Sequence, residues 1–360
     1  MSKFHPLAIA RIDRETRDAV AITFAVPDAL SGLYRFEPGQ HVSVRARVDG
    51  ADVRRSYSIC SGPRDGTLRI AVKRHPGGVF SSYAHERLAP GDALEVTPPL
   101  GHFGVPLDPG AARHHVAFAA GSGITPVLSI LKAVLEGEPR SQFTLFYGNR
   151  ASAAVMFREE LAALKDVHLA RFNLVHVLSR ETQDIDLLHG RIDAERADAL
   201  LRHWAPVDEI DVAYLCGPDA MMQAVKSLLE SRGLSPARIR IERFASSIPR
   251  HAHKPAALPQ GSATETEVTV ILDGAKRTFT LDRTKESILE AGLAHGVELP
   301  YSCKGGVCAT CRCRVVEGEV DMDANFALED YEVARGFVLA CQSYPASDRV
   351  TVDFDQTGTG

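Results

Sequence analysis

The sequence predicts a multidomain chain: an antiparallel β-barrel over residues 1–108, an α/β unit with a parallel sheet over 109–245, a linker at 246–263 and a small α+β module over 264–360. Three observations carry this reading. Up to about residue 105, short runs such as His41-Val42-Ser43-Val44 and Leu68-Arg69-Ile70-Ala71-Val72 are separated by Pro-Gly turns at 38–39, 76–78 and 90–91, the texture of an antiparallel barrel. From about residue 112 the apolar runs become continuous and alternate with helical stretches, as parallel strands covered on both faces require. Residues 246–263 then bring three prolines and no acid, the composition of a semi-extended linker.

At 360 residues the chain has room for two or three domains. Its 45% hydrophobic and 24% charged residues are those of an ordinary globular protein and exclude disordered, collagenous and coiled-coil classes. No run reaches the roughly 18 apolar residues of a membrane span. Met1-Ser2-Lys3-Phe4-His5-Pro6 lacks the apolar core of a signal peptide, so a cytoplasmic location is expected. A net charge of −5 is too mild for a nucleic-acid partner, but it is unevenly spread. From Thr264 onward 17 acids face 9 bases, a net of −8, which leaves about +3 on the first 263 residues. The tail therefore reads as a separate acidic module, suited to a basic partner face.

In the middle region the expected strands are 116–120, 143–147, 174–178, 212–215 and 239–242. Beyond the linker, 268–272 and 278–281 read as a hairpin around Asp273-Gly274. A helix is expected near 287–294, with Gly296 as its C-terminal stop. There is no internal repeat.

The strongest motif is Cys303-Lys-Gly-Gly-Val-Cys308-Ala-Thr-Cys311, followed thirty positions later by Cys341. C-x4-C-x2-C…C is the spacing of plant-type 2Fe-2S ferredoxins, in which four thiolates from one tight loop and one distant position hold two irons. Gly305 and Gly306 would let that loop curl round a cluster. Zinc is the alternative, although zinc ribbons pair two C-x2-C units and the second is missing here. Cys313, out of register with the four, reads as a small buried hydrophobe on the strand leaving the loop.

Arg55-Ser56-Tyr57-Ser58 ends a predicted barrel strand. A flavin needs a cation at its pyrophosphate, an aromatic beside its ring and a hydroxyl near N5, and these residues supply all three. Alone, the tetrapeptide reads equally well as a surface strand with a half-buried Tyr. Gly77-Gly78-Val79-Phe80-Ser81-Ser82 opens a short helix whose free amides could cradle a pyrophosphate. Val72 and Lys73, at the end of the preceding strand, complete the candidate flavin set. Gly121-Ser122-Gly123-Ile124-Thr125-Pro126 follows a strand and opens a helix, so its glycines would allow close approach of a phosphate. Pro126 stands where the dinucleotide fingerprint has its third Gly. Cys216-Gly217-Pro218 ends the fourth strand at the crevice where such sheets bind ligands, or is a buried Cys beside a helix-start Pro. Arg150 and Ser179-Arg180 close the second and third strands. They could accept the 2′-phosphate of NADPH, unless they are solvated surface charge.

Arg55-x-Tyr57-Ser58, Gly121-x-Gly123-x-x-Pro126 and Cys216-Gly217-Pro218, in this order, resemble the ferredoxin–NADP+ reductase superfamily. The appended Cys303/Cys308/Cys311/Cys341 module makes the chain similar to reductase components of bacterial oxygenases. The opening (Phe4-His5-Pro6-Leu7, Glu15-Thr16-Arg17-Asp18-Ala19-Val20) and Leu187-Leu188-His189-Gly190-Arg191 resemble the reductase subunits of ring-1,2-phenylacetyl-CoA epoxidase complexes. The resemblance implies a β-grasp ferredoxin module and FAD in the barrel. Arg55 would lie on its pyrophosphate with the amides of Val79, Phe80 and Ser81, Tyr57 beside its ring and Ser58 near N5. It further implies that Thr125 and Cys216 line the nicotinamide pocket, with Glu242 and Phe244 closing the far side of the flavin. Tyr57, Ser58, Cys216 and Glu242 are thus the expected catalytic set, none of them as a general base. NADPH is expected over NADH. The expected partner is the oxygenase component of a multisubunit monooxygenase, foremost a di-iron phenylacetyl-CoA epoxidase. A ring-hydroxylating, ketosteroid or alkane oxygenase, or a non-catalytic electron carrier, is the alternative.

Overall fold

The computed structural model describes residues 4–245 and 264–356; the linker expected at 246–263 lies outside the described residues. The described residues divide into two compact units, one of 5–53 with 57–245 and one of 264–356 with Phe4 and 54–56.

The larger unit begins with β1 (His5–Thr16), β2 (Ala19–Ala25), β3 (His41–Val48), β4 (Ala51–Ser58), β5 (Leu68–Lys73), the helix α1 (Val79–Glu86) and β6 (Ala93–Val96). The strands form one antiparallel sheet in the order β4-β3-β6-β1-β2-β5. A bridge between Ile59 and Ile70 joins its two edges, closing the barrel. Leu7, Ile9, Val20, Ile22, Val42, Val44, Ile70 and Val96 fill the inside, as alternation along each strand dictates.

β2 breaks that alternation, because six of its seven residues are buried. Its other face carries Ala19 and Ala21, with Ala71 of β5 directly opposite Ala21. These small residues share a core with Phe103, Ile124, Val127 and Leu128, so the outside of the barrel is itself an interface. Ion pairs reinforce it. Arg69 of β5 makes two hydrogen bonds to Glu160, at 2.9 and 2.8 Å, and lies 5.2 Å from the Phe157 ring centroid. Lys132 reaches Asp65 at 2.6 Å and Glu160 at 2.5 Å.

The second half of this unit alternates β7 (His114–Ala120), α2 (Ile124–Gly137), β8 (Gln142–Asn149), α3 (Arg158–Val167), β9 (Phe172–Leu178), α4 (Ala194–Trp204), β10 (Val212–Cys216), α5 (Asp219–Ser231) and β11 (Ile239–Glu242). All neighbouring strands are parallel, in the order β11-β10-β7-β8-β9. The chain runs outward from β7 to β9 and then returns to the other side of β7. That reversal makes a crevice outside the carboxyl ends of β7 and β10, where doubly wound sheets take their ligands.

At the opposite end of β7, Glu138 is fully buried. It pairs with Arg113 and accepts hydrogen bonds from Ser141 Oγ (2.6 Å) and the Asp108 amide (3.1 Å). Burial alone would raise its carboxyl, but these bonds, led by Arg113, hold it down to about 2. An ionised Glu138 only accepts, so His115 Nε2, 3.1 Å away, donates to it. Burial keeps the imidazole neutral, which leaves Nδ1 to accept from Tyr214 Oη at 3.2 Å.

The smaller unit holds β12 (Glu265–Leu272), β13 (Ala275–Asp282), α6 (Ile288–Ala294), β14 (Arg312–Glu317), β15 (Val320–Met322), α7 (Asp330–Ala334), β16 (Phe337–Leu339), β17 (Ser343–Pro345) and β18 (Arg349–Asp353). The main sheet runs β13-β12-β18-β14-β16, with β12 and β18 parallel. The expected hairpin is present: Asp273 and Gly274 have φ of 53° and 71°, the signature of a two-residue turn between twisted strands. Asp355 accepts both turn amides, at 2.8 and 2.7 Å. Ser287 caps α6 by accepting from the Glu290 amide, and Gly296, at φ 75°, follows the helix end. β11 matches its expected run, and the other strands extend one to three residues beyond theirs, because ladder hydrogen bonds continue through polar positions such as His114 and Gln142 that hydropathy cannot mark.

Candidate cofactor sites

On β4, Arg55 is exposed, Ser56 and Tyr57 are half-buried and Ser58 is buried. The Tyr57 ring packs against Phe80 of α1, with centroids 5.6 Å apart. Phe80 is itself 1% exposed, its side chain serving the barrel core. Among the described residues the buried Ser58 Oγ has no hydrogen-bond partner. Gly77, at φ 71°, turns the chain into α1, whose first turn no side chain caps. Ser81 Oγ accepts from the His75 amide and donates to the Gly78 carbonyl, closing the turn. Val79, Phe80 and Ser81 therefore offer backbone amides alone. An exposed cation, an orphaned buried hydroxyl and uncapped amides fit a bound flavin dinucleotide.

In the crevice, Gly121 adopts φ 54° and its carbonyl accepts from the buried Tyr147 Oη at 2.9 Å. A Cβ there would lie 3.9 Å from Lys73 Nζ, which brings the end of β5 to this turn; Val72, just before it, is wholly buried. Gly123 also meets a packing demand. A Cβ on it would sit 2.0 Å from the Cys216 carbonyl oxygen, so its missing side chain lets the ends of β7 and β10 touch. Thr125 is buried and donates to the Ser122 carbonyl at 3.0 Å, and Pro126 lies in the first turn of α2. Cys216 is 0% exposed, and burial, with Glu242 adding, holds its thiol well above the ordinary range. Glu242 is its register partner on β11. Gly217 closes against Met221 and Ala120, Pro218 precedes α5, and Phe244 packs on the core that contains Cys216.

At the sheet edge, the Ser179 amide donates to the Asn149 carbonyl (2.9 Å) and the Arg180 amide to the Arg150 carbonyl (2.8 Å). Arg150 and Arg180 are thus exposed neighbours. Composition alone did not mark Tyr147, Glu181 or Ser152, which brace these turns. Their partners lie 26 to 29 residues away, so no local spacing signals them.

In the smaller unit Cys308, Cys311 and Cys341 are buried and Cys303 is half-buried. Cys303 Sγ accepts from the Gly305 amide and Cys308 Sγ from the Cys303 amide, each at 3.4 Å. Left-handed backbone occurs at Gly306 and, beyond what the glycines predict, at Lys304 and Ala309. The Ala340 amide donates to the Cys311 carbonyl at 3.0 Å, tying the fourth thiol's turn to the loop. Among the described residues no three His, Cys, Asp or Glu side chains are spaced to enclose one ion. The four thiols lie close enough to influence one another, Cys303 with Cys308 and Cys341, and Cys341 with Cys311, a four-thiolate set that fits a 2Fe-2S cluster. All four are pushed above the ordinary thiol range, Cys308 by its hydrogen bond with Cys303 and then by burial. Crowded, buried thiols of this kind are relieved by a multivalent cation. Cys313, on β14, is fully buried, its Sγ 3.9 Å from the Val338 carbonyl.

Comparison with known families matches residues 6–104 to the oxidoreductase FAD-binding domain, 118–227 to the oxidoreductase NAD-binding domain and 270–346 to the 2Fe-2S iron-sulfur cluster binding domain. The chain is therefore an NAD(P)H-dependent flavin iron–sulfur oxidoreductase. It is 46% identical over 358 residues to one of the subunits of the 1,2-phenylacetyl-CoA epoxidase of Escherichia coli (strain K12), covering 99% of both chains. It is 34% identical over 354 residues to the 3-ketosteroid-9-alpha-monooxygenase ferredoxin reductase component of Rhodococcus rhodochrous, covering 97% of this chain and 96% of the other. Among solved structures, phthalate dioxygenase reductase superposes with a TM-score of 0.58 at 27% identity, covering 98% of both chains. The chain belongs to the family of three-module reductase components that serve oxygenases. Among the described residues, no helix is long and apolar enough to cross a membrane.

Proposed function

We propose that this chain carries electrons from NADPH, through FAD and a 2Fe-2S cluster, to an oxygenase component that epoxidises phenylacetyl-CoA. The observation that carries this reading is 46% identity across 99% of both chains with a component of that epoxidase. The 34% ketosteroid relative makes a ketosteroid oxygenase the second candidate partner. The boundaries 1–108, 109–245 and 264–360, with a linker at 246–263, belong to the same proposal. So does a cytoplasmic location, where the seven cysteine thiols stay reduced.

When bound, these cofactors supply hydride acceptance by FAD from the nicotinamide and one-electron transfer at the cluster. The protein contributes position and electrostatics. Arg55 and the uncapped amides of Val79, Phe80 and Ser81 hold the pyrophosphate, and Tyr57 and Ser58 flank the ring system. Lys73, Gly121, Ser122, Thr125 and the Cys216-Gly217 turn bracket the nicotinamide. The neutral, buried Cys216 thiol adds no charge of its own to that wall, with Glu242 and Phe244 beside it. Arg150, Ser179 and Arg180 select NADPH over NADH by facing its 2′-phosphate. Cys303, Cys308, Cys311 and Cys341 hold the cluster.

The test is phenylacetyl-CoA consumption in an extract that contains the other epoxidase components but lacks this protein, with NADPH supplied. Addition of the purified holoenzyme restores consumption. No restoration by a sample that still reduces a dye with NADPH would transfer the assignment to another oxygenase.

A further inference from the structure

Glu181 directly follows Ser179-Arg180 at the edge where β8 and β9 end. A carboxylate here has two ordinary effects on a dinucleotide: it accepts the ribose hydroxyls of NADH, or it repels the 2′-phosphate of NADPH. In this chain both carboxylate oxygens are turned to another partner, the charge staying in place. Glu181 Oε2 accepts from the Ser152 amide at 2.7 Å, and Oε1 accepts from Ser152 Oγ at 2.5 Å. Ser152 starts the turn Ser152–Ala154, whose preceding residue, Ala151, provides no side-chain cap. The carboxylate from the neighbouring strand exit supplies the missing acceptor. The bond from Ser152 Oγ, then that from its amide, lowers the carboxyl below its ordinary range, so Glu181 stays ionised while bound. The same two bonds tie the loop after β9 to the loop after β8, the pair that carries Arg150 and Arg180.

We infer that Ser152 and Glu181 form a clasp that sets coenzyme preference, Ser152 keeping the Glu181 carboxylate off the 2′-phosphate at the edge that carries Arg150 and Arg180. This rests on the reading that the edge takes the 2′-phosphate of NADPH. Glu181 and Ser152 are positioning residues, acting through the placement of one negative charge beside the two arginines. A merely structural clasp would behave identically whichever partner is removed. An electrostatic one would not, because Ser152→Ala removes the hydroxyl bond and leaves the charge held by the amide alone, whereas Glu181→Gln abolishes the charge.

The experiment measures dye reduction by the FAD- and cluster-loaded full chain with NADPH and with NADH, in wild type, Ser152→Ala, Glu181→Gln and the double variant. Ser152→Ala lowers the NADPH-to-NADH ratio of kcat/KM about tenfold, through KM for NADPH. Glu181→Gln keeps the wild-type ratio or raises it, and the double variant follows Glu181→Gln. An unmoved ratio in Ser152→Ala, or an equal fall in Glu181→Gln, overturns the clasp while the NADPH reading stands. A wild type that prefers NADH overturns that reading and the clasp with it.

Discussion

A methyl group at position 123 would meet the Cys216 carbonyl oxygen at 2.0 Å and the Gly217 amide nitrogen at 3.0 Å. Both contacts are with backbone, which cannot rotate away, so Gly123→Ala has to part the ends of β7 and β10. Overpacking of this kind costs about 3 kcal/mol, and here it also spreads the crevice. Thermal denaturation of Gly123→Ala should show a clear fall in midpoint, with KM for the nicotinamide raised. A wild-type midpoint would mean that the strand ends are not in contact. Position 217 has a softer constraint, since the closest atom to a Cβ there is the terminal methyl of Met221.

At the scale of elements, the continuous apolar runs of β7, β8, β9 and β10 were legible because both faces of a parallel sheet are buried, and so was the hairpin turn at Asp273-Gly274. Two things were not. β2 is buried on its outer face by alanines, which hydropathy cannot distinguish from a tolerant surface. The Glu138 network draws on polar residues at positions 108, 113, 115 and 141, which no local spacing brings together. That network carries a pH prediction. The Glu138 carboxyl titrates at about 2 when folded, against 4.5 when unfolded. Its contribution is therefore complete above pH 4.5 and lost as pH falls through about 2. His115, which burial keeps neutral, acts in the same direction from pH 6.5 downward. Glu138→Gln should lower stability at neutral pH by about 3 kcal/mol, as for one partner removed from a buried pair. It should also flatten the acid limb between pH 4.5 and 2 in a series of melting curves, and an unchanged limb would remove Glu138 from the account.

Across the whole molecule, the cysteine spacing made the iron–sulfur module readable from residue types alone, whereas the flavin and nicotinamide positions became persuasive only as an ordered set. Arg55-Ser56-Tyr57-Ser58 alone reads equally well as a surface strand, and its meaning comes from Ser58 being buried with no partner among the described residues. The serial order of the modules predicts a separable defect. Cys308→Ser should lose iron and the cluster's visible absorption while flavin bands and NADPH-dependent dye reduction persist. Loss of dye reduction in a variant that retains its flavin would break that order.

The alanine face of the barrel also bears on how such reductases can be recombined. Ala19, Ala21 and Ala71 share one buried core with Phe103, Ile124 and Leu128, where larger side chains would overpack. A barrel grafted from a relative with valine or leucine at those positions would be pushed off its neighbour, and the Arg69–Glu160–Lys132–Asp65 pairs would be pulled apart with it. Exchange of the electron-donor half between family members is therefore expected to succeed only when residues 5–245 travel together. The iron–sulfur module, joined through a proline-bearing stretch of sequence, is the natural cassette for swapping.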